Sequence, residues 1–186
     1  MALTFKELVA SDRAKLEALM TEGRGPTLES IAGWEFRGHN VLAPHEKLVM
    51  TVMSNVRFIK CFFPEDRQAT PGRTYEMLHG YNLKVRNGGV DDPWTTIPDE
   101  KTPNRLGHYR VYRARNRPGT NVYPNAIFLD YKQPQNNLFS GSTIDDYVVQ
   151  PDPGNPDLLM GKAYTNLAVM TPATFFILER YQRHDR

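Results

Sequence analysis

The most regular alternation in the chain runs from Tyr75 to Val85. Tyr75, Met77, His79, Tyr81, Leu83 and Val85 share one face; Glu76, Asn82, Lys84 and Arg86 share the other, with Leu78 and Gly80 as exceptions. A period of two marks a half-buried strand, and its apolar side is expected to look inward. Asn87-Gly88-Gly89 follows, residues that tolerate positive φ and suit a turn. A shorter alternation occupies Gly33-Trp34-Glu35-Phe36-Arg37-Gly38. Arg57 to Phe63, His108 to Arg115, Asn121 to Lys132, Thr143 to Gln150, Leu158 to Ala168 and Thr174 to Tyr181 are further extended segments. Pro64-Glu65-Asp66, Arg117-Pro118-Gly119, Gln133 to Ser142, Pro151 to Asp157 and Met170-Thr171-Pro172 separate them as turns or loops. Asp91 to Asn104, polar and with three prolines, reads as a loop around Trp94.

Helical spacing is strongest at the start. Over residues 3–22, Leu8, Leu16, Leu19 and Met20 repeat at helical intervals, with Lys6, Glu7, Asp12, Arg13, Lys15 and Glu17 opposite. Ser11-Asp12 offers an N-cap that would split this helix in two, and Gly23-Arg24-Gly25-Pro26 ends it. Thr27 to Ile31 allows one short turn. Pro44 to Met53 carries Leu48, Val49, Val52 and Met53 on one helical face.

About eight extended segments in succession predict a mainly β protein: a single antiparallel up-and-down β-barrel of about eight strands with an N-terminal helix. Closure removes exposed edges, and the connections let neighbours pair directly. A two-sheet sandwich is the competing arrangement. The expected layout is one domain over 1–186, with 1–26 as helix and linker and 33–182 as barrel.

The 14 Pro and 13 Gly are spread along the chain, as many turns require. A net charge of +2 is too small to suggest nucleic acid or an anionic membrane surface, so neither is expected as a partner. Cys61 is the single cysteine, so no intrachain disulfide is expected; in an aromatic strand it reads as a buried, inert thiol. Leu3-Thr4-Phe5-Lys6-Glu7 lacks the pattern of a signal peptide, which gives a cytoplasmic expectation.

Gly33, Trp34 and Gly38, on the first strand just after a short helical turn, resemble the lipocalin-like (calycin) β-barrels, although here Gly33 and Trp34 are adjacent. Arg180 would take the place of the last-strand Arg that packs over the Trp in that group. The resemblance implies a closed barrel binding a small, mainly apolar molecule.

Candidate chemistry is sparse. His79 is either a core histidine held by a neighbouring Tyr or carbonyl, or a polar group in a cavity acting as ligand anchor, general base or metal ligand. In His108-Tyr109-Arg110-Val111-Tyr112-Arg113, His108, Arg110 and Tyr112 share one face. Turned inward they would form a cationic wall for a carboxylate or phosphate; turned outward, Arg110 is solvated. Asp145-Asp146 can send at most one carboxylate inside, and Asp130 and Glu179 are similarly placed; Arg110 or His79 would serve as partner. His39 and His45 flank Pro44, and the five His with one Cys show no metal-ligand spacing, so neither metal nor cofactor is expected. Arg113-Ala114-Arg115-Asn116-Arg117 reads as a solvated strand end or a contact for an anionic partner. There is no Gly-rich phosphate loop and no nucleophile elbow.

The expected function is therefore binding of a small hydrophobic molecule in an interior lined by Trp34, Tyr75, Met77, Tyr81 and Phe175, with His79, Arg110 and Tyr112 supplying polar contacts. The alternative is an isomerase, cyclase or dehydratase that uses His79 and an inward carboxylate in the same cavity. A third option is a structural barrel with a filled core and an interaction surface at its loops. Homo-oligomerisation stays open.

Overall fold

The computed structural model describes residues 3–42, 56–116, 121–137, 142–166 and 170–184. Eight antiparallel strands form a closed barrel in chain order: β1 (Trp34–Val41), β2 (Arg57–Phe63), β3 (Leu78–Lys84), β4 (Arg105–Arg113), β5 (Ile127–Asp130), β6 (Ile144–Val149), β7 (Leu158–Asn166) and β8 (Met170–Arg183). Pairing of β8 with β1 closes the cylinder, so no edge is left to template association. Among the described residues, no helix is long and apolar enough to cross a membrane.

The N-terminal helical stretch is two helices, broken where Ser11-Asp12 allowed it. α1 (Phe5–Val9) opens with a capping box between Thr4 and Glu7. α2 (Arg13–Glu22) opens on Asp12, whose carboxylate accepts from the Lys15 amide at 2.8 Å. α3 (Leu28–Ile31) follows, capped by Thr27. The helical face expected over Pro44 to Met53 lies outside the described residues.

Both faces of the barrel wall are buried. The inner face is identified by contacts that cross the cylinder: Lys60 on β2 meets Asp146 on β6, four strands away in either direction. Phe36, Phe62, Leu78, Tyr109, Val111, Leu129, Val148, Leu159, Phe176 and Leu178 belong to this inner core, and Leu28 and Ile31 of α3 join it at one end. Aromatic rings fill the space. Phe36 packs edge-on against Phe62 at 5.6 Å, and Tyr109 against Tyr131 at 5.1 Å. The Tyr109 ring lies flat on Gly80 and the Phe176 ring on Gly161; a Cβ at either glycine would come within 2.1 Å of the ring above it.

The outer face carries a second apolar layer: Ile59, Cys61, Phe63, Tyr81, Leu83, Phe128, Tyr147, Met160, Phe175 and Ile177. It is covered by Phe5, Leu8, Leu16 and Met20 of the helices and by Trp94 and Tyr123 of the loops. α1 lies against β8 and β1, and α2 against β7. This corrects the expected direction of the Tyr75–Val85 pattern. Its regular face, with His79, Tyr81, Leu83 and Val85, looks outward, while the exceptions Leu78 and Gly80 look inward together with Asn82. The outer face is apolar because helices and loops bury it. The inner face is interrupted by glycine because a ring occupies its place.

Candidate functional site

Among the described residues, a polar cluster centred on Lys60 crosses the barrel axis. Lys60 stands in the apolar run Phe58-Ile59-Lys60-Cys61-Phe62 and is 2 % exposed. Its ammonium donates to Asn82 Oδ1 at 3.1 Å, to the Tyr131 hydroxyl and to Asp146 Oδ2 at 3.1 Å, and Tyr131 also donates to Asp146 Oδ2 at 2.9 Å. The rings of Tyr109 and Phe176 each approach the ammonium to 5.0 Å. Burial pushes the Lys60 pKa down, and Asp146 opposes that shift. Asp146 is thus the inward carboxylate of the Asp145-Asp146 pair, and its partner is Lys60 rather than Arg110 or His79. Rings enclose this cluster, so it is a latch across the barrel rather than a place for a ligand.

Space for a ligand exists instead towards the end of the barrel where β1 starts and β2 and β8 finish. Two adjoining clefts share Arg67. The first, about 440 Å³, is lined by Glu29, Trp34, Arg67, Arg73, Tyr75 and Arg183 among others. The second, about 330 Å³, is bounded by Phe63, Glu65, Arg67, His79, His108 and Arg110, with Gln133 to Gln135 as its rim. His79 and Arg110 are register partners on β3 and β4, which sets their side chains together on the outer face. Asn136 fastens the Gln133–Gln135 segment to β4: its amide donates to the His108 and Tyr131 carbonyls at 2.6 and 2.7 Å, and its oxygen accepts from the His108 amide at 2.9 Å.

The second cleft is cationic with an aromatic side wall. The Arg67 guanidinium lies 5.1 Å over the Phe63 ring, and Phe63 stacks on His79 at 6.4 Å. Arg67 holds φ at 59°, the left-handed region that a residue with a Cβ seldom occupies. Burial lowers the His79 pKa, with Glu65 opposing and Arg110 reinforcing the shift. Burial also lowers that of His108, helped by Arg105 and Arg67. Both imidazoles are therefore neutral at pH 7 and offer one donor and one acceptor each. His79 Nε2 is buried with no hydrogen-bond partner.

The residues singled out from the sequence divide into groups. His79 and Arg110 line the second cleft; Trp34 and Tyr75 line the first. Met77 is 37 % exposed on the surface. Tyr81 is buried in the outer layer, its pKa raised to about 12 by burial, and Tyr112 packs on Phe128 at 5.6 Å. Trp34 and Tyr75, partly buried, pack against the inner core at its end; the other five do not reach it, and Phe175 is in the outer layer as well. The expected interior lining is corrected accordingly, since β3 and β4 turn His79, Tyr81, Arg110 and Tyr112 away from the axis. Lys60 and Arg67 escaped sequence reasoning. The one signal for Lys60 was a charge inside an apolar strand, and exposed Arg67 follows no pattern.

Arg180 does meet Trp34. Its guanidinium lies 4.5 Å over the indole and donates to the Ser30 carbonyl of α3 at 3.0 Å; Arg183 covers the same ring at 3.9 Å. Comparison with protein-family models, curated proteins and solved structures finds no match to this chain.

Proposed function

We propose that this protein is a lipocalin-like barrel that binds a small molecule with an apolar ring and an anionic end, a carboxylate or phosphate, in the clefts around Arg67 rather than along the barrel axis. The lipocalin-like assignment draws support from Trp34 on the first strand, packed beneath Arg180 of the last and next to a short N-terminal helix. The ligand class rests on one observation: Arg67, Arg110, His79 and His108 converge on a single cleft with Phe63 in its wall. Guanidinium groups match the planar oxygens of a carboxylate or phosphate, and neutral imidazoles add oriented hydrogen bonds. Trp34, Tyr75 and Phe63 give the apolar part of the ligand rings to lie on.

The test is a titration with aromatic carboxylates and aryl phosphates, followed by Trp34 fluorescence in a Trp94→Phe background. Binding should saturate, weaken with added salt and drop at least tenfold in Arg67→Ala and in Arg110→Ala. A signal that never saturates, or one unchanged in both variants, removes the proposal.

A second reading, acid–base catalysis on the same ligand, is favoured by His79, His108 and Glu65 sharing that cleft. It requires turnover that is lost in His79→Gln while affinity is kept.

A further inference from the structure

Glu35, Cys61 and His184 stand far apart in the sequence and meet at one seam. Glu35 on β1 and Cys61 on β2 are register partners, so their side chains rise side by side from the outer face. The pairing of β1 with β8 shifts register between Glu35 and Phe36. Beyond that shift the His184 amide donates to the Gly33 carbonyl at 3.0 Å, which brings the imidazole back to Glu35. One donor atom from each of the three residues lies within 4.8 Å of the other two. Glu35 and Cys61 are fully buried, and His184 is 8 % exposed.

We propose that Glu35, Cys61 and His184 form a binding site for a divalent ion of the zinc class. A carboxylate, a thiolate and an imidazole are the mixed O, S and N donors that zinc accepts. Tetrahedral zinc holds such donors roughly 3.3–3.6 Å apart, given bond lengths of ~2.0–2.3 Å. Closing from the present spacing needs side-chain movements of about 1 Å or less. His184 Nδ1 is the ring nitrogen that faces Glu35, 3.0 Å from Oε1, so a water would fill the fourth position while the Tyr81 hydroxyl, 3.4 Å from Nε2, holds the opposite edge of the ring.

The surroundings have the character of an outer coordination shell. Gln182 donates to Glu35 Oε2 at 2.8 Å and so orients the carboxylate. Phe63 stacks on the imidazole at 5.0 Å and the Tyr81 ring meets it edge-to-face at 5.6 Å, which fixes the ring plane. His184 also lines the first cleft, which gives the ion a way in from solvent. On binding, the ion replaces the thiol proton, which leaves to water. The site does not depend on the anion-binding proposal, because neither Arg67 nor the His79–Arg110 pair takes part in it.

The experiment is a Co²⁺ titration of chelator-treated full-length protein. One equivalent should produce a thiolate-to-cobalt charge-transfer band in the near ultraviolet, together with the intense visible bands of four-coordinate cobalt. Zn²⁺ should abolish both and raise Tm. Cys61→Ser should lose the charge-transfer band, and His184→Gln should weaken cobalt affinity at least tenfold. Wild-type protein alone keeps the proposal falsifiable if the variants do not fold. No charge-transfer band, or a Tm indifferent to Zn²⁺, would overturn it and leave Glu35 and His184 as a hydrogen-bonded pair only.

Discussion

Removing the ammonium from the barrel axis by Lys60→Met tests whether the latch is as dry as its packing implies. Lys60 and Asp146 are 2 % and 3 % exposed. Asp146 Oδ1 has no hydrogen-bond partner, so the charge of this carboxylate is balanced by Lys60 and hydrogen-bonded by Tyr131 through Oδ2 alone. Methionine matches the lysine stem in volume, so the substitution removes charge and hydrogen bonds without leaving a large void. Breaking a buried pair from one side costs about 3–5 kcal/mol, because the remaining charge is stranded. Against a total stability of about 5–15 kcal/mol that is a large fraction. In urea, with a slope of ~2 kcal/mol/M, the midpoint should fall by about 1.5–2.5 M. Asp146→Leu alone should cost a similar amount. The double variant should recover at least ~2 kcal/mol relative to the sum of the singles, and Tyr131→Phe should add to that recovery by removing an orphaned hydroxyl. A Lys60→Met midpoint within ~0.5 M of wild type, or strictly additive single effects, would refute the reasoning: the pair would then be solvated and the axis wet.

Three other outcomes follow from the same packing. Gly80→Ala should destabilise by about 1–3 kcal/mol in urea unfolding, because the new methyl collides with both the Tyr109 ring and the Cys61 carbonyl. Asp12→Ala should cost about 1 kcal/mol by uncapping α2, visible as a lower thermal midpoint with the barrel's circular dichroism retained. His79 and His108 have folded pKa values below their ordinary 6.5, so the fold resists their protonation. Their contribution to stability is therefore complete above pH 6.5 and is lost as pH falls through the lowered values. The double variant His79→Gln/His108→Gln should flatten this acid limb in urea midpoints taken between pH 7 and 4. Affinity for an anionic ligand should move the opposite way, tightening as the imidazoles gain charge.

The barrel's order was legible because eight extended segments are punctuated by turns, and the split between α1 and α2 was legible in Asp12. What the alternation could not convey was which side of the wall is inside. In most barrels one face is wet, and apolar periodicity then points to the core. Here α1, α2 and the loops around Trp94 and Tyr123 bury the other face too, so Tyr81 and Leu83 mimic a lining they do not form. The better signal was the mid-strand Gly80 and Gly161, tolerable where a ring replaces the missing side chain. The site was half visible. His79 and Arg110 are held together by strand register, which sequence cannot supply, and Trp34 meets Arg180 as the resemblance implied. The meeting of Glu35, Cys61 and His184 depends on closure of the cylinder, which joins the last strand to the first. No spacing rule along the chain reports that.

Since side chains alone stop up the axis, hollowness in this molecule is only a few substitutions away. Phe176→Ala would open a chamber beside the Lys60 ammonium, lined by Phe58, Tyr109 and Tyr131 and reaching the backbone of Gly161. The ammonium there stays tied to Asp146, Asn82 and Tyr131, so one polar anchor would face an otherwise aromatic hollow. The natural plug thus doubles as the blank from which a designer could cut a small vessel, with its hydrogen-bonding anchor already installed.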